Sequence, residues 1–244
     1  MRRFLQRLGR ELLVSVYDPI AHLYDPWSQS VVEDVEFYVE LARRAGGTVV
    51  ELGVGTGRIA VPTAAAGVSV IGVDSSAAML SLAAERAALA GVSLDLRLGD
   101  FRDPPVTEQV ELVTIPFRSL LHMRTDPERR AVLRAVHSLL VEGGMFAFDV
   151  FCPSARDIHE TDGRWLEREP GIFERADWHT PTQTLTLRVR GGDAETALEL
   201  AWLSVRQWRE LLLSERMTVE GLYGWFDKTP WQGHEDSIWL CRRA

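Results

Sequence analysis

The sequence predicts an α/β fold in which a doubly wound, mostly parallel sheet carries helices on both faces and finishes in an antiparallel pair. Three observations lead there. Apolar runs near 48–52, 68–73, 93–98, 110–115 and 145–151 alternate with helical patterns near 57–66, 76–90 and 127–141. The first run breaks into alternate glycines, Gly53, Gly55 and Gly57, which let a strand turn sharply into a helix. Two further strands, Met217 to Phe226 and Ser237 to Arg242, follow a helical stretch from Val205 to Ser214 and bring the sheet to seven strands.

In chain order, residues 1–47 read as helices and a connecting loop, and residues 48–244 as the main domain. Phe4, Leu5, Leu8, Leu12 and Leu13 recur at helical spacing, and Val32, Val35, Phe37, Tyr38 and Leu41 mark a second helix ended by Gly46-Gly47. Asp126 before Pro127 starts a later helix, and Gly143-Gly144 stops it. After Phe151 the period changes to two. Trp165 to Glu169, Ile172 to Trp178, Thr184 to Arg190 and Leu198 to Val205 alternate, separated by Pro170-Gly171, Thr180-Pro181 and Gly191-Gly192-Asp193. These hairpins predict an antiparallel insertion over about 162–203, between the fifth strand and the last helix.

Composition removes several classes. Charged residues make up 25% and hydrophobic ones 46%, ordinary values for a globular chain. No run approaches the roughly 18 apolar residues of a membrane span, and the start of the chain is too short in its apolar part for a secretory signal, so a cytoplasmic protein without a membrane partner is expected. A net charge of −8 argues against a nucleic acid partner, which calls for a basic face. Cys152 and Cys241 stand far apart with no ligand-spaced histidine or cysteine, so neither a metal site nor a disulfide framework is indicated, and both are expected as buried thiols.

The glycines lead to function. The second run, Val68 to Val73, ends in Asp74, whose carboxylate is placed to accept both hydroxyls of a ribose. A dinucleotide fingerprint needs its third glycine where Arg58 stands, and Glu51 would repel a pyrophosphate while suiting a cofactor with an ammonium and a sulfonium. With Asp74-Ser75-Ser76-Ala77-Ala78-Met79-Leu80, Leu98-Gly99-Asp100-Phe101 and Val141-Glu142-Gly143-Gly144-Met145, this pattern resembles the class I S-adenosylmethionine-dependent methyltransferases. The resemblance covers about Val49 to Pro153 and resumes more weakly at the C-terminus. It implies a Rossmann-like fold and S-adenosylmethionine as cofactor, bound by Glu51, Gly53, Gly55, Gly57, Asp74, Ser75, Met79, Asp100, Phe101 and Ile115. It also implies that Tyr17 to Trp27 lies over the cofactor as a lid, with Tyr24 at the cofactor and Tyr17 and Trp27 toward the acceptor.

The loop after the fourth strand, Ile115-Pro116-Phe117-Arg118-Ser119-Leu120-Leu121-His122, is similar to that of small-molecule N-methyltransferases acting on glycine or amino sugars. On that likeness His122 is the candidate general base and Arg118 the candidate carboxylate anchor, against structural roles for both. Singly, Met79 also fits a core filler and Asp74 a helix cap. The expected function is methyl transfer to nitrogen, oxygen or carbon of a small molecule. A nicotinamide-dependent oxidoreductase, a non-catalytic cofactor-binding protein and a homodimeric assembly stay open at this point.

Overall fold

The computed structural model describes residues 15–244, so the helix expected over Phe4 to Leu13 lies outside the described residues. Five strands alternate with helices as the periodicity predicts: β1 Val49–Leu52, β2 Val70–Asp74, β3 Asp95–Leu98, β4 Val110–Ile115 and β5 Leu140–Phe151, the last beginning five residues earlier than expected, so that Gly143-Gly144 lie inside it and the preceding helix ends at Leu139. With β10 Met217–Tyr223 and β11 Asp236–Arg243 they make one seven-stranded sheet in the order β10-β11-β5-β4-β1-β2-β3. The first five are mutually parallel, and β11 runs antiparallel to both β5 and β10. The chain order reverses about β1, which pairs with β4 on one side and β2 on the other. Ligands on such sheets settle in the crevice beyond the carboxyl ends at this reversal.

Helices α1 Ala21–Ser28 and α2 Glu33–Ala45 precede the sheet. α2 forms because Phe37, Tyr38, Leu41 and Ala42 fall on one stripe and are buried, while Glu33, Asp34 and Glu36 face the positive end of the helix dipole and Arg43 and Arg44 the negative end. Helices α3 Ala60–Ala65, α4 Ala77–Leu89 and α5 Asp126–Leu139 connect the parallel strands. α5 starts at Asp126 as predicted, and its cap is Thr125, because its hydroxyl and the Glu128 carboxylate satisfy each other's backbone N–H groups. Val132, Leu133, Val136 and Leu139 then face the sheet, every one of them buried.

Phe146, Phe148, Trp208 and Trp239 form the aromatic heart of the core, each worth about 1.5–3 kcal/mol or more on burial. Trp208 reaches it from α7, Val205–Ser214, which starts on a Ser204–Gln207 capping box. Cys241 is buried and free; Cys152, just past the end of β5, is also free but only half-buried. No helix among the described residues is long and apolar enough to cross a membrane.

Between β5 and α7 stand a short helix, α6 Ala155–Thr161, and a second antiparallel sheet: β6 Trp165–Glu169, β7 Ile172–His179, β8 Thr184–Gly191 and β9 Ala194–Ala201. The last strand begins four residues before the predicted Leu198. Ala194 to Ala197 carry little apolar alternation, yet they pair with β8 without a break from the Gly191–Ala194 turn onward. Nor did the pattern reveal α6: it buries no residue, and its one signal is the Ser154–Asp157 capping box. Leu185, Val189, Leu198 and Leu200 turn one face of this sheet into the body of the protein. It is tied to the N-terminal segment by Trp27 Nε1 donating to Glu174 at 3.2 Å, Gln29 Nε2 donating to Glu169 at 2.8 Å and Thr196 Oγ1 donating to the Val16 carbonyl at 2.7 Å.

Candidate active site

A cavity of about 150 Å³ opens at the reversal point of the sheet. Its floor is the glycine turn. Gly53 and Gly55 have φ of +79° and +54°, values an L side chain adopts only with strain. A Cβ on Gly53 would stand 2.9 Å from the Phe101 ring, whereas one on Gly55 would make only ordinary contacts, with Tyr24 at 3.9 Å and the Gly53 carbonyl at 4.0 Å. Gly57 does different work: a Cβ there would press on Val61 and Ala83, so this glycine lets the turn pack on α3 and α4 and lies outside the cavity lining.

Asp74, at the end of β2, holds the turn. Its Oδ2 accepts from Gly55 N at 2.9 Å and its Oδ1 from Ser76 N at 2.8 Å. Ser76, not Asp74, caps α4 by accepting from Met79 N. Burial raises the Asp74 pKa, and the backbone N–H donors only partly oppose it. The carboxylate therefore has reason to accept further donors such as ribose hydroxyls. Asp74→Ala is expected to weaken S-adenosylhomocysteine binding by about 1.5–3 kcal/mol, with α4 still formed because its cap is intact. Calorimetry on the folded variant checks this; unchanged affinity would leave Asp74 a loop brace only.

Met79, Ser75, Asp100 and Phe101 also line the cavity, as do Tyr17, Tyr24 and His122. Asp100 is already engaged: Arg102 approaches it through Nε at 2.9 Å and Nη2 at 2.5 Å, which lowers its pKa. Ser15, Val16, Ser119 and Met123 complete the wall and were not foreseen. Ile115 is wholly buried behind it, and Glu51 and Trp27 lie outside its lining. Glu51 is 4% exposed, and burial pushes its pKa up to about 8, against the pull of Arg58. A buried acid in that condition suits an ammonium ligand.

The N-terminal strap closes the cavity from above. Asp18 accepts from the Ser76 hydroxyl at 2.5 Å, and Asp25 takes the Thr56 hydroxyl at 2.6 Å together with the Arg86 guanidinium. Tyr17 Oη lies 2.8 Å from His122 Nε2. Burial pushes the His122 pKa down to about 4 and raises that of Tyr17 well above its ordinary value. Near neutral pH the pair is thus an uncharged imidazole beside a protonated phenol. Around it Tyr24, Trp27 and Phe117 meet edge to face. Arg118 is not in the cavity lining: it pairs with Asp236 at 2.6 Å and lies over the Phe151 ring.

Arg58, which occupies the place of a dinucleotide glycine, turns away from the cavity into a bidentate pair with Asp34, at 2.7 and 2.5 Å. Trp202 and Trp208 are core residues, Trp178 is half-buried against Phe151 and Trp202, and Trp165 stacks on Arg190 at 3.9 Å. Among the described residues no group of acidic, histidine and cysteine side chains could hold a metal ion.

Comparison with known proteins agrees with this geometry. Residues 49–144 match the family described as methyltransferase domain. An uncharacterized methyltransferase of Geobacillus kaustophilus is 32% identical over 156 residues, covering 58% of this chain and 67% of the relative. The CcbJ methyltransferase of Streptomyces caelestis shares the fold with a TM-score of 0.79, at 23% identity over 95% of this chain and 99% of its own. CalS10, a SAM-bound amino pentose methyltransferase of Micromonospora echinaspora, superposes with a TM-score of 0.65 at 19% identity, over 94% of this chain and 97% of its own.

Proposed function

The chain belongs to the class I S-adenosylmethionine-dependent methyltransferases, and from that premise we propose that it methylates a small molecule at a nucleophile held beside the Tyr17–His122 pair. The observation that carries this reading is the uncharged Tyr17–His122 pair in the cavity wall, next to the glycine turn and under an aromatic strap. S-adenosylmethionine supplies, when bound, a methyl group already activated on a cationic sulfur. Glu51 would offer its carboxylate to the ammonium of that cofactor, Asp74 would accept the ribose hydroxyls, and Met79 and Phe101 would cover the adenine.

The acceptor's N–H or O–H donates a hydrogen bond to the Tyr17 oxygen, the Tyr17 hydroxyl donates one to His122 Nε2, and the proton of the methylated acceptor leaves to water. This fixes the direction of the acceptor lone pair, and such alignment supplies much of the rate enhancement. The acidic surface and the closed, aromatic-walled cavity favour a small metabolite over nucleic acid. CalS10, whose name states an amino sugar substrate, is consistent with an amine acceptor here. A metabolite extract incubated with methyl-labelled S-adenosylmethionine is expected to yield a labelled small product. Label found only in macromolecules would overturn the proposal.

His122→Ala is expected to lower turnover by about 100-fold through lost alignment of the acceptor, without altering the shape of the rate profile above pH 6, because a histidine with a pKa of about 4 does not titrate there. An inflection near pH 6–7 that disappears in the variant would instead assign His122 a proton-carrying role. Stability reports the same group. Between about pH 6.5 and 4 the unfolded histidine binds a proton that the folded one refuses, so this group's contribution is lost as the pH falls through that window. Acid unfolding of the variant should be less steep there.

A further inference from the structure

We propose that Asp149 is a positioning residue for methyl transfer, holding the loop between β4 and the Tyr17–His122 pair in its active shape. Phe117 and Arg118 are consecutive non-glycine residues with φ of +55° and +59°. Each is uncommon alone, and two in a row need an outside restraint. Asp149, on β5, provides it: Oδ1 accepts from Phe117 N at 2.8 Å and Oδ2 from Arg118 N at 2.9 Å. The two N–H groups form a small nest around one carboxylate. The Tyr38 hydroxyl also donates to Oδ1 at 2.7 Å, so α2 and β5 share the anchor. Asp149 is 6% exposed.

What the clamp holds is the acceptor side of the cavity. Phe117 packs edge to face on Tyr24 at 6.2 Å and carries the Arg58 guanidinium 4.7 Å above its ring. Ser119 follows at once and lines the cavity; its Oγ would be 3.2 Å from a Cβ on Gly53. The turn after it, Ser119–His122, places His122 against Tyr17. Asp149 itself is not among the cavity-lining residues, so its influence runs through the loop.

The experiment compares Asp149→Asn with Tyr38→Phe. An amide in place of the carboxylate keeps the shape but presents an NH₂ to one of the two backbone N–H groups, so one clamp bond is lost. Tyr38→Phe removes a buried hydrogen bond to the same oxygen and leaves both clamp bonds. Three readouts are taken: hydrogen exchange over residues 116–123, S-adenosylhomocysteine binding, and turnover on the acceptor identified by the labelling screen. Asp149→Asn should speed exchange in that loop by about tenfold or more and cut kcat by about 100-fold, the scale of an ångström-sized misplacement, with cofactor affinity nearly unchanged. Tyr38→Phe should leave exchange and kcat close to wild type. Unchanged loop exchange in Asp149→Asn, or equal opening in both variants, overturns the clamp. Should Asp149→Asn not fold, the wild-type Phe117 and Arg118 amides decide the question: they must be protected, and exchange at free-loop rates refutes it. The turnover arm rests on the small-molecule reading, whereas the exchange arm stands without it.

Discussion

Gly55→Val is expected to remove detectable binding of S-adenosylhomocysteine while the protein stays folded. Typical cofactor affinity in the micromolar range corresponds to about −8 kcal/mol, and a loss of at least a thousandfold, about 4 kcal/mol, is expected. The reason is geometric. At φ +54° a β-branched residue is strained, and its Cβ leaves the backbone toward the cavity with only Tyr24 and the Gly53 carbonyl near it, at 3.9 and 4.0 Å. The side chain thus meets little protein and fills the volume of the ligand. Strain of about 1–2 kcal/mol for a non-glycine in this region also weakens the Gly55 N bond to Asp74. Calorimetry and circular dichroism on the same sample check the claim; a folded variant that binds normally would place the cofactor elsewhere.

That glycine was legible because its signal is local. A strand, a turn needing φ > 0 and a helix follow one another within a dozen residues, and Asp74 closes the next strand by the same logic. Strand and helix alternation also sufficed for β1 and β2, since a parallel strand that buries both faces reads as an apolar run, whereas the edge strand β3 is at most half-buried and shows only alternation. Where burial is one-sided or absent the signal fades. Ala194 to Ala197 extend β9 through backbone pairing, and α6 buries none of its own residues.

The acceptor side was legible only in its residue types. His122 and Tyr17 are separated by 105 positions, Phe117 and Asp149 by 32, and Trp27 and Glu174 by 147. Nothing in their immediate neighbours reveals these pairings. Arg118 illustrates the limit: a free arginine after β4 looks like a carboxylate anchor, but Asp236, contributed by the other end of the chain, has taken it. The same holds for Asp100 and Arg102, where a neighbour two residues away competes for the role expected of the acid.

Arg58→Met should cost the most in stability of any single change in this region, about 3–5 kcal/mol. Asp34 is fully buried, and Arg58 supplies both of its charge-assisted bonds while a further bond from Nη1 reaches the Val31 carbonyl. Methionine fills similar volume yet leaves the carboxylate buried without its cation, and removing one partner of such a pair is far costlier than removing both. For a chain of this size each kcal/mol lowers Tm by roughly 2–4 °C, so a fall on the order of 10 °C is expected. Combining it with Asp34→Leu should restore most of the loss, since a well-packed apolar pair is often as stable as a buried ionic one. The single variant should also loosen Phe117, whose ring Arg58 covers, and with it the loop clamped by Asp149. A single variant within about 1 kcal/mol of wild type, the scale of an exposed pair, would mean that water reaches Asp34 readily and that the strap and loop are joined by some other contact.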